Sequence, residues 1–118
     1  MTDPLLAAAL VGVGGAFGAI ARHAVGLRIA GRHSVVAVNA LGSLALGAAL
    51  AAPIGSAATL LVAVGFCGAF TTFSSFAVET VATATGGEGD VAVGFAAANL
   101  VAALAAFLAG STLVGAIV

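Results

Sequence analysis

Between Gly65 and Phe76 the chain reads GFCGAFTTFSSF, which sets hydroxyls, phenyl rings and glycines inside an apolar stretch long enough to cross a bilayer. A plain lipid anchor has no use for them. Thr72, Ser75 and Glu79 follow one another at three- and four-residue spacing, which predicts one shared helical face. Phe73 and Phe76 form a second pair three apart. A phenyl ring carries a positive edge, so an edge-on pair can accommodate a small anion that a hydroxyl or amide also holds; lipid-facing or core packing is the plainer alternative. From Gly68 through Ala69 and Phe70 to Thr71 the helix is expected to open. Such a break frees carbonyls from the preceding half-helix and amides from the following one. Carbonyl oxygens suit a hard cation such as sodium and the amide end suits an anion, while a glycine kink with no ion accounts for the same residues.

Three further polar residues sit within apolar surroundings. Asn39, in VVAVNALGSLALG, and Asn99, in the last apolar run, each carry an amide that costs free energy at bilayer depth unless hydrogen-bonded. Either the amide donates to an anion or it makes an interhelical hydrogen bond. Arg22 follows GGAFGAIA, where its stem can snorkel, either to concentrate anions at a pore mouth or to anchor the helix at the interface. Glu79 is the one carboxylate near the interior of a span, close enough to the acidic stretch after it to be solvated. Cys67, His23 and His33 have neither zinc spacing nor a catalytic partner nearby in sequence, and nothing supports an enzyme.

The elements that must position these residues are membrane-spanning helices. The chain is 63% hydrophobic, with three basic and four acidic residues, and its mean hydropathy is +1.31. Such a chain cannot clothe a water-facing surface, and its net charge of -1 offers nothing to nucleic acid. At about 20 residues per span, its length holds four helices and short connections in a single transmembrane domain, residues 1–118, and no soluble domain. Apolar runs cover 4–21, 35–52, 57–82 and 91–118. The first is too long for a signal peptide's apolar region and is preceded by Thr2 and Asp3 where a basic flank would stand, so it is read as a retained span. The connections are 22–34, with all three arginines and both histidines, then Pro53 to Ser56, then Gly86 to Asp90. The arginine bias puts the first connection in the cytoplasm and both termini outside. Gly14 with Gly18, and Gly42 with Gly47 nearby, would let helices approach closely. Four helices fill their own core, so an aqueous path calls for an oligomer.

GFCGAFTTFSSF, GGAFGAIAR and VNALGSLALG together resemble the Fluc (CrcB) family of fluoride channels, over essentially the whole chain. The resemblance implies an all-α membrane protein of four transmembrane helices with a break in the third, assembled as an antiparallel, dual-topology-type dimer. It implies two fluoride pores and a central sodium ion that is structural and not transported. By this resemblance the sodium ligands are the backbone carbonyls of Gly68 and Thr71. The pore residues are Phe73, Phe76, Asn39 and Arg22, and Ser75 belongs to a polar track, beside Thr72 on the face described above. Two departures stand out: Gly68-Ala69 where the family commonly has a glycine pair, and Ala102 and Ala103 where a serine commonly follows the fourth-span asparagine. The second removes a hydroxyl, so either Ser111 and Thr112 fail to replace it or a paralogous subunit supplies it.

The expected function is therefore a passive channel in a prokaryotic plasma membrane that exports fluoride, built with a second identical or paralogous subunit. A small multidrug-type exporter would need a deeply buried acid and aromatic platforms, yet the chain has neither Trp nor Tyr and no acid in its first two spans beyond Asp3. A non-conducting membrane subunit is the other alternative, in which Phe73 and Phe76 would matter to assembly alone.

Overall fold

A computed structural model describes residues 3–118; Thr2 of the amino-terminal flank lies outside the described residues. Asp3 caps the first helix, α1 (Pro4–Arg28), its carboxylate accepting from the amides of Leu5 at 2.8 Å and Leu6 at 3.3 Å, with Pro4 in the first turn where no amide is needed. α2 spans Gly31–Ala51. The third span runs over Gly55–Thr85 in pieces: α3 (Gly55–Thr59), a wider π-helical segment (Leu60–Cys67), α4 (Gly68–Phe70), an extended interruption, and α5 (Ser74–Thr85). α6 (Gly89–Ile117) completes the chain. Four helices are long and apolar enough to cross a membrane, so this is an all-helical, multi-pass membrane protein.

The first connection differs from expectation. Arg22, His23 and Arg28 lie on α1, Arg32 and His33 open α2, and only Ile29 and Ala30 join the two helices. Charge marks where hydrocarbon ends; it does not end a helix. Arg28 in the last turn favours the helical carbonyl end, and α1 stops only when Ile29 turns extended. The other two connections fall where glycine and proline put them, with Gly55 and Gly87 at positive φ.

Two close crossings hold the bundle. α2 packs most extensively on α6. There a side chain on Gly47 would run into the Phe107 carbonyl, and one on Gly110 into the Leu44 carbonyl. The backbones therefore touch, and dispersion replaces the hydrophobic drive that lipid does not supply. Gly110→Ala is expected to destabilise the fold by about 2 kcal/mol or more, since neither backbone can yield as a side chain would. Thermal unfolding in detergent would check this, and an unchanged midpoint would refute it.

The second crossing brings α1 against the π-helical segment. Gly14 faces the Leu61 carbonyl and Gly18 the Phe66 carbonyl. Four residues of α1 thus stand opposite five of the wider helix, so one turn of each coincides and the contact stays in register. The Ala69 methyl lies at ordinary van der Waals distance from where a side chain on Gly15 of α1 would stand, so alanine in place of a second glycine after Gly68 is accommodated. Little of the outer helices is covered by the chain itself: 11% of the apolar window of α1 and of α6 is buried. Their remaining faces are apolar surface for lipid or another subunit.

Candidate functional site

The break in the third span is organised by Asn39. Its side chain is 7% exposed, on the α2 face that meets the interruption. Asn39 Oδ1 accepts from the Thr72 amide at 2.8 Å, and Asn39 Nδ2 donates to the Thr72 carbonyl at 3.0 Å, so a single side-chain amide pairs with both polar groups of one residue. In an unbroken helix the Thr72 amide would bond the Gly68 carbonyl. Gly42, one turn from Asn39 on α2, leaves the space that the Phe70 ring and Thr71 methyl occupy.

The helix therefore opens at the last residue of the expected stretch. Gly68, Ala69 and Phe70 remain helical, and Thr71 turns extended with φ -79° and ψ 162°. Glycine content points to where a break is cheap, but the partner for the freed peptide decides where it occurs. Thr71 closes the upstream half, its amide at 3.0 Å and its Oγ1 at 2.9 Å both donating to the Cys67 carbonyl. Thr72 starts the downstream half, its Oγ1 accepting from the Ser75 amide at 3.0 Å and lying 3.4 Å from the Ser74 hydroxyl. The proposed Thr72, Ser75 and Glu79 face is corrected accordingly. Thr72 precedes α5 and caps it, while Ser75 and Glu79 share a recess with Ser74 and Val78.

A groove of about 800 Å³ runs beside this break. Asn39, Thr72, Phe73, Phe76 and Asn99 all line it, and so does Ser43. The Phe73 and Phe76 ring centroids are 5.8 Å apart at 46°, and Phe76 continues to Phe95 at 5.5 Å and 37°. A tilted pair leaves ring edges as well as faces available to a neighbour. Phe73 is 78% exposed, so beyond its contact with Phe76 most of its phenyl is left uncovered by this chain. Sequence reading passed over Phe95 and Ser43. Ser43 was discernible as the residue four after Asn39 on one helix face, but Phe95 only through its contact with Phe76.

Arg22 and Ser75 belong to a different opening. With Ala19, His23, Gly26, Leu27 and Ser34 they line a recess of about 410 Å³. Arg22 Nη1 also donates to the Thr71 carbonyl at 3.4 Å, which ties this recess to the back of the break. Of the fourth-span substitutions, Ala103 lines the large groove, whereas Ser111 and Thr112 do not reach it; the Thr112 hydroxyl bonds back to the Leu108 carbonyl at 2.8 Å. On α2, Ser43 adds a hydroxyl to the groove, beside Thr71 and Thr72 of the third span.

A hard cation would find oxygens here and no other ligands. Among the described residues no group of three or more His, Cys, Asp or Glu side chains could hold a metal. The Gly68 carbonyl is the one whose helical donor Asn39 has taken, and Gly68 lies on an exposed face. The Thr71 carbonyl keeps a second lone pair beyond its long contact with Arg22. Both carbonyls are oxygen donors of the kind a hard cation takes, and two of them fall short of a full coordination shell.

Against known proteins, residues 9–111 match the family model described as CrcB-like protein, Camphor Resistance (CrcB). The chain is 54% identical to Fluoride-specific ion channel FluC 2 of Natronomonas pharaonis over 111 residues, covering 92% of this chain and 95% of that protein. It is 47% identical to Fluoride-specific ion channel FluC 2 of Haloarcula marismortui, covering 90% of this chain and 88% of the relative. Against Fluoride-specific ion channel FluC of Gloeobacter violaceus the identity is 40%, over 86% and 90% of the two chains. The membrane fold, the broken third span and these likenesses agree, and the chain belongs to the CrcB family of fluoride-specific ion channels, which are transport proteins and not enzymes.

Proposed function

We propose that this chain forms a passive channel that lets fluoride leave a prokaryotic cell across its plasma membrane. The groove carries this reading: the phenyl rings of Phe73 and Phe76, the amides of Asn39 and Asn99 and the Ser43 hydroxyl line one groove, with no charged side chain among its lining residues. Fluoride is small and strongly hydrated, so it enters such a path only where donors and positive ring edges replace its water. An acidic side chain in the groove would repel it. Arg22, in the neighbouring recess, raises the local anion concentration at the mouth. Neutral HF crosses lipid, ionises in a more alkaline cytoplasm and is trapped there. A membrane potential negative inside then drives the anion outward with no fuel.

The exposed Phe73 and the incomplete set of carbonyls both ask for a second subunit, identical or paralogous, antiparallel to the first. Gly68 and Thr71 would hold a structural sodium ion together with the same residues of that subunit, and the ion would supply the positive charge that keeps opposing carbonyls together.

The test is fluoride efflux from liposomes containing this purified chain alone, with chloride as control and with sodium present or replaced. Fluoride efflux well above chloride, weakened when sodium is replaced, is the expected result and makes one kind of subunit sufficient. No efflux from folded protein would overturn the reading of a self-sufficient channel.

A further inference from the structure

Arg32 stands in the first turn of α2, the wrong end of a helix for a positive charge. The unpaired backbone amides there already carry partial positive charge, and α2 has neither a capping side chain nor an acid in that turn. Arg32 is also tied in place. Its Nη1 donates to Thr83 Oγ1 on α5 at 3.2 Å, and among the described residues no carboxylate pairs with it. His33 follows it with an imidazole N–H. A fixed positive charge without a counter-charge, where the hydrocarbon ends, is a seat for an anion.

The seat opens onto apolar surface. Arg32 and His33 form the polar end of a recess of about 620 Å³ between α2 and α6, and every other residue lining it is apolar: Val36 and Ala37 of α2, and Val91, Gly94, Phe95 and Ala98 of α6. The exposed carboxylates nearby, Glu88 and Asp90, are not among its lining residues. By helical spacing those four α6 residues share one side of the helix, while Val93, Ala96, Leu100 and Ala103, which line the large groove, share the opposite side. The recess therefore faces away from Phe73 and Phe76. The second subunit that the uncovered Phe73 calls for belongs to the other side, which leaves lipid to cover this one.

We propose that the recess binds one anionic phospholipid per subunit, its phosphate on Arg32 and His33 and an acyl chain along the seam between α2 and α6. A headgroup of no net charge leaves the Arg32 charge uncompensated, and a soluble phosphate leaves the apolar seam unfilled. The site is separate from the conduction path and does not depend on which ion is conducted.

Gly94 gives a probe that leaves the basic end intact. A side chain built there meets nothing within 4 Å, so Gly94→Leu fills the seam without straining the fold. Arg32→Gln removes the charge at the head, and Arg28→Gln, in the last turn of α1 and outside the recess, is the control. Binding is read by native mass spectrometry of the detergent-purified chain titrated with phosphatidylglycerol, with phosphatidylcholine and glycerol 3-phosphate for comparison. Phosphatidylglycerol is expected to bind about 10-fold more tightly than either, as the loss of a charge-assisted contact implies. Arg32→Gln and Gly94→Leu should each weaken it by about 10-fold, and Arg28→Gln by less than about twofold. Equal affinity for the two lipids overturns the proposal, and so does a loss in Arg28→Gln as large as in Arg32→Gln, which would mean a diffuse basic surface. Parent-like binding by Gly94→Leu, or glycerol 3-phosphate binding as tightly as the lipid, removes the acyl chain from the seam and overturns it too. If Gly94→Leu elutes as a smaller species, the recess belongs to a second subunit and not to lipid. Should Arg32→Gln not elute as folded protein, Gly94→Leu decides alone.

Discussion

Asn39→Asp is expected to abolish fluoride efflux and to cost about 3 kcal/mol of stability, because the change is isosteric yet reverses two hydrogen bonds. The Thr72 amide keeps its acceptor. The atom replacing Nδ2 becomes an oxygen facing the Thr72 carbonyl, formerly at 3.0 Å, and Asn99 Oδ1, formerly at 3.1 Å. Three acceptors then crowd a buried point with no donor among them, and protonating the new carboxyl restores one donation at most. Losing either partner of a buried hydrogen bond leaves the other unsatisfied, at roughly 1–3 kcal/mol each. The break in the third span loses its clamp, and the orientation of Asn99 is lost with it. Thermal unfolding in detergent and liposome efflux check the two halves of the prediction. A variant as stable and as conductive as the parent would show that the Asn39 clamp is dispensable.

Replacing Phe76 with Ile is expected to reduce fluoride efflux by about 100-fold while leaving subunit assembly intact. Ile fills much of the same volume, so the hydrophobic cost is small, on the order of 1 kcal/mol. What disappears is the ring between Phe73 and Phe95, and with it the positive edge that a phenyl can offer in the groove. Size-exclusion elution in detergent should match the parent, and efflux should not. Persistent flux would mean that the ring edge at this position is no part of the path. Altered assembly with normal flux would favour a packing role. The two variants differ in kind: Asn39→Asp dismantles the scaffold behind the path, whereas Phe76→Ile alters its lining alone.

Composition and run length were enough to determine a four-span membrane protein, because a chain this apolar cannot clothe a water-facing surface and each of its four apolar runs is long enough to cross hydrocarbon. The glycine and proline connections at Gly55 and Gly87 were legible too, since they need backbone angles that other residues resist. GFCGAFTTFSSF marked the third span as broken, and VNALGSLALG supplied the amide that breaks it. Sequence bracketed the break within residues 68–71 but could not say at which of them the helix opens. Glycine lowers the cost over Gly68 and Ala69, yet the chain opens at Thr71 because Asn39, from another helix, pairs with the Thr72 peptide. Nor could it divide the polar residues among openings: Arg22 and Ser75 share one recess, and Asn39, Phe73 and Phe76 the other groove. Local patterning records what a segment can do by itself, including where its hydrocarbon ends and which turns it permits. Which partners a side-chain amide finds, as Asn39 finds the Thr72 peptide and Asn99, depends on residues 33 and 60 positions away in sequence, and only the packed helices bring those together.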